Sequence, residues 1–110
     1  MMKRLVKASA FLFFLGASGG AGLAASFNCG RATSCTEHVI CQTPQLSRLD
    51  SRMTRLYDEL QDMASRRGAR RLLNSQRAWL DNRDSCGCNA NCLVGMYESR
   101  IMLFNEVLGF

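Results

Sequence analysis

The chain is 110 residues long, with 14 Lys+Arg against 9 Asp+Glu and a formal charge of +5. That length holds one small domain and excludes a pair of catalytic domains or a large cofactor cleft, and so small a core is marginal without cross-links. Without residues 1–24, which contain Lys3, Arg4 and Lys7 and no acid, the balance is 11 Arg against 9 acids, which excludes a polycation gripping nucleic acid through a basic stripe.

Met1 to Lys7 is a positively charged start, Ala8 to Ala17 an apolar run around Phe11, Leu12, Phe13, Phe14 and Leu15, and Gly16 to Ala25 a stretch rich in small residues. This pattern predicts a secretory signal peptide over residues 1–24, cut after Ala24 with Gly22 at the third position back. The apolar run is shorter than the roughly 20 residues of a membrane span. No cysteine stands at the cut, as lipidation would require, since the first is Cys29. The expectation is a periplasmic or secreted protein, soluble and without a membrane anchor, whose single domain covers 25–110.

Export places the six cysteines in an oxidising compartment, where an even number in a short chain reads as disulfides. Cys29, Cys35 and Cys41 form one cluster, and Cys86, Cys88 and Cys92 a second. Ser34 and Glu37 form a capping-box pattern for a short helix ending near Cys41. Leu46, Leu49, Met53, Leu56, Leu60 and Met63 then recur at spacings of three and four, one apolar stripe of a helix that Thr43 caps and Pro44 opens. Arg66, Arg67 and Gly68 interrupt it. From about Ala69 a second helix carries Leu72, Leu73, Gln76, Trp79, Leu80 and Arg83 to Cys86, where Gly87 breaks it. A third begins near Asn91 with Leu93, Tyr97, Ile101, Phe104 and Val107 or Leu108 inward, and Gly109 stops it. No stretch alternates with period two. The predicted fold is all-α: an antiparallel helical hairpin turning at Gly68, a third long helix and a short N-terminal helix.

A hairpin of that kind returns the chain from Cys41 to Cys86 at one pole, so bridges between the clusters are expected in a nested antiparallel pairing. A bridge such as Cys41 to Cys86 would stabilise by roughly 4 kcal/mol in the chain-entropy model. Six cysteines nonetheless allow about fifteen connectivities, and spacing alone does not choose among them.

The run from Leu73 to Cys86, with Gln76, Trp79, Arg83 and Cys86 at its fixed points, resembles the signature of the LprI-type lysozyme-inhibitor domain, a family of small exported bacterial domains. Phe27-Asn28-Cys29, Val39-Ile40-Cys41, Leu46 to Asp50, Leu56-Tyr57, and Cys92-Leu93 followed by Tyr97 and Arg100-Ile101 occur in the family's order. The resemblance implies a binding protein, with lysozyme as a family-level partner. It also implies four family cysteines at Cys29, Cys41, Cys86 and Cys92, leaving Cys35 and Cys88 as an additional pair. The family's namesake is a lipoprotein, and that anchoring does not carry over to a chain without the lipidation cysteine.

Trp79 shares a helix face with Leu72, Gln76 and Arg83, which predicts a core residue flanked by two polar side chains that satisfy buried groups. Tyr57 and Tyr97 present an apolar body inward and a hydroxyl that needs a partner. Arg100 completes the set of motif residues expected to be structural. Arg66, Arg67, Arg70 and Arg71 are the candidate interaction surface, since guanidinium groups hold carboxylates or phosphates by paired hydrogen bonds. The alternative for them is a solvated turn, with Arg66 and Arg67 at a helix C-terminus where cations are favoured. An inhibitor of lysozyme would set such a turn in or near the cleft that holds the enzyme's two carboxyl groups. The other reading is an envelope interaction protein that uses the same arginines on a cell-wall component or another exported protein. An enzyme is not expected: there is one histidine, His38, and no nucleophile motif or phosphate loop. Nor is a cofactor or a metal, because a zinc set of Cys35, His38, Cys41 and Cys88 would require thiols that stay reduced after export.

Overall fold

Local capping chemistry sets where each helix begins and ends. The computed structural model describes residues 25–109; the expected signal peptide and Phe110 lie outside the described residues. A 3-10 turn at Cys29–Arg31 is followed by α1 (Cys35–Gln42), α2 (Pro44–Met63), α3 (Arg66–Asp84) and α4 (Ala90–Leu108), with no strand among the described residues. Ser34 and Glu37 form the capping box on α1. Thr43 ends α1 by donating its N–H to the Val39 carbonyl and stands as N-cap of α2, though its side chain makes no cap bond, and Pro44 opens that helix. Asn89 caps α4 through the Cys92 N–H, so this helix starts one residue before Asn91. Gly87 and Gly109 take positive φ angles of 61° and 87° at the ends of α3 and α4, a conformation other residues rarely adopt.

The break between α2 and α3 is Ala64–Ser65, not Gly68. Ser65 accepts the Gly68 N–H at 3.1 Å, and an N-cap of that kind stabilises a helix start by about 1 kcal/mol. Glycine inside the first turn is a weaker signal than the cap before it. A Cβ on Gly68 would come within 3.3 Å of Ser65 Oγ, so the small residue suits the tight start of α3.

Side-chain pairs establish the helix directions. Gln76 reaches Met53 and Gln61 reaches Ala69, so α2 and α3 are antiparallel. Tyr97 meets Asp50 and Phe104 meets Tyr57, so α4 runs parallel to α2 and lies closest to it. The core between them is Ile40, Leu46, Met53, Leu56, Trp79, Leu93, Tyr97, Ile101 and Phe104. Each large apolar side chain there contributes about 1.5–3 kcal/mol through its removal from water. Met63 ends the predicted inward stripe but is 73% exposed, and Val107 is 65% exposed while Leu108 is half-buried. Among the described residues nothing covers Met63 in the last turn of α2 or Val107 in the last turn of α4.

Three disulfides staple the opposite end, but not in the nested order. They join Cys29 to Cys41, Cys35 to Cys88 and Cys86 to Cys92. The expected Cys41–Cys86 bridge does not form, because the 3-10 turn folds back onto the end of α1 and brings the Cys29 and Cys41 Cα atoms to 5.9 Å. Cys86 and Cys92 flank the α3–α4 turn with Cα atoms 5.7 Å apart. Both distances suit a bridge. Cys35–Cys88 alone spans the two clusters, which places them at one pole and matches the additional pair that the family resemblance implies.

Candidate functional site

Arg66, Arg67, Arg70 and Arg71 are all exposed, and all lie in the first two turns of α3. None stands at the C-terminus of α2, so the favourable macrodipole term expected for Arg66 and Arg67 is absent. Arg66 and Arg67 occupy the first turn of a helix, where positive charge is disfavoured, with Arg70 and Arg71 just beyond, and no acid lies in that first turn. At about 100° per residue the four do not share one face. Gly68, Leu72 and Ser75 form a row toward α2 and α4; Arg67 and Arg71 flank that row, while Arg66 and Arg70 point to the far side.

The row forms one wall of an open groove of about 270 Å³, with Leu60, Leu103, Phe104 and Val107 among its other walls. Arg100 is the only charged residue lining it. The residue is 7% exposed, and its guanidinium donates from Nε and Nη2 to Gln76 Oε1 at 3.1 and 3.0 Å and from Nη2 to Ser75 Oγ at 3.1 Å. It lies 4.5 Å over the Phe104 ring and 5.9 Å from that of Trp79, contacts that favour a cation. Among the described residues no carboxylate pairs with it. Burial holds its pKa below the ordinary arginine value, with the Tyr57 hydroxyl acting against that shift.

The remaining motif residues build the interior behind this wall. Trp79 is buried, meets Tyr97 edge-on at 5.1 Å and donates its indole N–H to the Met96 carbonyl at 3.4 Å. Gln76 serves Arg100 rather than a backbone group or carboxylate, and its amide points at the Met53 sulfur. Arg83 donates to Asp84 Oδ1 at 2.8 Å and to the Tyr97 hydroxyl at 3.3 Å, and Tyr97 donates to Asp50 Oδ1 at 2.7 Å. Burial, and next the Asp50 carboxylate, push the Tyr97 phenol far above its usual range. Tyr57 accepts from Gln61 Nε2 at 2.8 Å.

The profile of the family described as Lysozyme inhibitor LprI matches residues 29–102. The chain belongs to the LprI lysozyme-inhibitor family. No curated protein and no solved structure matches it. The match to the LprI family covers α1, α2 and α3 and the first two thirds of α4, and takes in both the arginine-bearing start of α3 and the motif from Gln76 to Cys86.

Two features escaped the sequence reading. Asp50 is buried among apolar residues, yet its place on the register of Leu46 and Met53 already puts an acid on the inward face. Arg48, Arg52 and Arg55 are exposed at helical spacing along α2 and line a shallow surface with Gln45 and Leu49; that stripe was readable from spacing alone. The zinc set of Cys35, His38, Cys41 and Cys88 is taken apart by the disulfides, which engage all three of its cysteines.

Proposed function

We propose that this protein is an exported inhibitor of lysozyme, with residues 1–24 as its signal peptide and 25–110 as the binding domain, and that it acts by occupying the enzyme's cleft. The contact is the start of α3. Arg67 and Arg71 pair with the cleft carboxyl groups, and an apolar side chain of the enzyme enters the groove beside Leu72, Leu103 and Val107. The observation that supports this reading is the set of four exposed arginines at the start of α3, two of which, Arg67 and Arg71, flank the Gly68–Leu72–Ser75 wall of the apolar groove at the end of the bundle without disulfides. Arginine–carboxylate pairs have the two-point geometry to hold an acid in place, and exposed apolar side chains beside them add buried area at the centre of a contact. No reacting group of the inhibitor is needed.

The test follows lysis of a cell-wall suspension by lysozyme across concentrations of the purified, oxidised protein. The wild type gives dose-dependent loss of lysis. Replacing Arg67 and Arg71 by Ser weakens it at least about tenfold, the equivalent of 1.4 kcal/mol, whereas Ser at Arg66 and Arg70 changes it by less than about threefold. Unimpaired lysis at tens of micromolar folded protein would end the lysozyme reading. Retention on purified cell wall without enzyme would then favour a wall component as partner.

A further inference from the structure

Ala25 is only 5% exposed although it belongs to no helix. The next residue, Ser26, donates its backbone N–H to Asp50 Oδ2 at 2.7 Å. The other carboxylate oxygen accepts the Tyr97 hydroxyl, also at 2.7 Å. Asp50 is 1% exposed, and among the described residues no cation pairs with it. Arg83 on α3 comes no nearer than the Tyr97 hydroxyl on α4, and its charge is directed to Asp84. A carboxylate held so deep by two neutral donors lacks the charge partner that burial ordinarily demands.

Removal of residues 1–24 would supply one. The exporting cell's signal peptidase hydrolyses the Ala24–Ala25 amide; water leaves a carboxylate on Ala24 and an α-ammonium on Ala25. Consecutive backbone nitrogens lie under about 4 Å apart, so the new ammonium falls within about 7 Å of Asp50 Oδ2, and a small rotation at Ala25 brings it into the range where opposite charges pair strongly. We propose that Asp50 is a binding site for the protein's own mature amino terminus. Cleavage after Ala24 completes the buried network of Asp50, Tyr97 and Arg83 and fastens the segment before Cys29 onto α2 and α4. In the precursor the same nitrogen is a neutral amide. The inference rests on the proposed cleavage site and not on the identity of the partner.

The sequence offers an unusually clean probe. Both lysines, Lys3 and Lys7, precede the cut, so the processed chain has a single amine. Protein exported and processed in a bacterial host is treated with an amine-acetylating reagent at pH 8 and followed by intact mass, beside a variant with Gly-Ser inserted after Ala24 and a second variant, Asp50→Asn. Processed wild type begins at Ala25 and reacts at least about fourfold more slowly than the insertion variant, the fall in neutral amine at pH 8 that one unit of raised pKa produces. Asp50→Asn removes that protection. The wild type also melts about 5 °C above the insertion variant at pH 6.5, a shift on the scale of one ion pair in a domain of this size. An ammonium raised in pKa by folding stabilises fully below its unfolded value near 8, and that stabilisation disappears as pH rises through the folded value. The melting gap therefore closes in alkali. Equal labelling rates, a melting gap that ignores pH, or a natural terminus other than Ala25 would each overturn the proposal. If Asp50→Asn does not fold, the wild type and insertion variant still decide it.

Discussion

At the end of the bundle that carries Cys35 and Cys88, three disulfides, the Ser34–Glu37 capping box and the Thr36 hydroxyl bonded to the Gly87 carbonyl at 2.8 Å tie together an eight-residue helix, a 3-10 turn and a loop. At the end that carries Ser65 and Val107 no covalent link exists among the described residues; Gln61 alone spans the α2–α3 turn by bonding the Ala69 carbonyl at 3.1 Å. The elements at the first end are short, and cross-links there add covalent closure to the packing of Ile40, Leu46 and Leu93. The second end rests on the ends of three long helices, α2, α3 and α4, that packing already secures. It carries exposed apolar side chains, Met63 and Val107, and four exposed arginines.

The sharpest way to break this comparison is to remove the disulfides one pair at a time. The chain-entropy model makes the loss depend on loop length. With sequence separations of 53, 12 and 6, replacing Cys35 and Cys88 by Ser costs about 4 kcal/mol, Cys29 and Cys41 about 3, and Cys86 and Cys92 about 2. Guanidinium unfolding without reductant measures all three. If the Cys35–Cys88 pair proved the cheapest to lose, packing rather than covalent closure would be holding the two clusters together.

Tyr97→Phe tests the interior that joins the two ends, with a smaller effect. It leaves Asp50 Oδ1 and one Arg83 nitrogen without a partner, which costs about 1–3 kcal/mol for a buried group. The wild type carries a related pH signature. The Tyr97 phenol is raised by burial and then by Asp50, so the native state keeps a proton that the unfolded chain releases near pH 10. Stability is therefore complete below that pH and falls above it, by at most about 1.4 kcal/mol per pH unit. Tyr97→Phe flattens this alkaline limb, and urea midpoints between pH 8 and 11 measure it.

Helix existence and inward faces were legible because apolar spacing is a strong signal: Leu46, Met53, Leu56, Leu93, Tyr97 and Phe104 are buried where the period puts them. Trp79 and Arg83 also lie in the core, as their shared face with Leu72 and Gln76 implies. Boundaries were less so. Gly68 read as a break because glycine is a poor helix former, but the cap at Ser65 acts first and draws Arg66 and Arg67 into α3. The disulfide order was not legible, since it depends on how a three-residue turn folds back on α1. The groove was not legible either. Met63 and Val107 carry inward spacing, and only the lengths of the packed helices reveal that nothing lies over them.

The smallest expected effect bears most directly on why the arginines are there. Cations in the first turn of a helix oppose its macrodipole by about 0.3–1 kcal/mol each when exposed, and the effect fades beyond that turn. Arg66 and Arg67 fall inside it, and Arg70 and Arg71 just beyond. Gln at Arg66 and Arg67 therefore raises stability by several tenths of a kcal/mol per site, while Gln at Arg70 and Arg71 leaves it within about 0.5 kcal/mol. Urea midpoints at low salt read the difference, and added salt should shrink it. Of these two, Arg67 belongs to the proposed contact, so a gain in stability on its loss would mark a side chain kept for binding rather than for folding. If Gln at Arg66 and Arg67 destabilised the domain instead, those side chains would be holding the turn together, and the start of α3 would be structural rather than the surface that meets a partner.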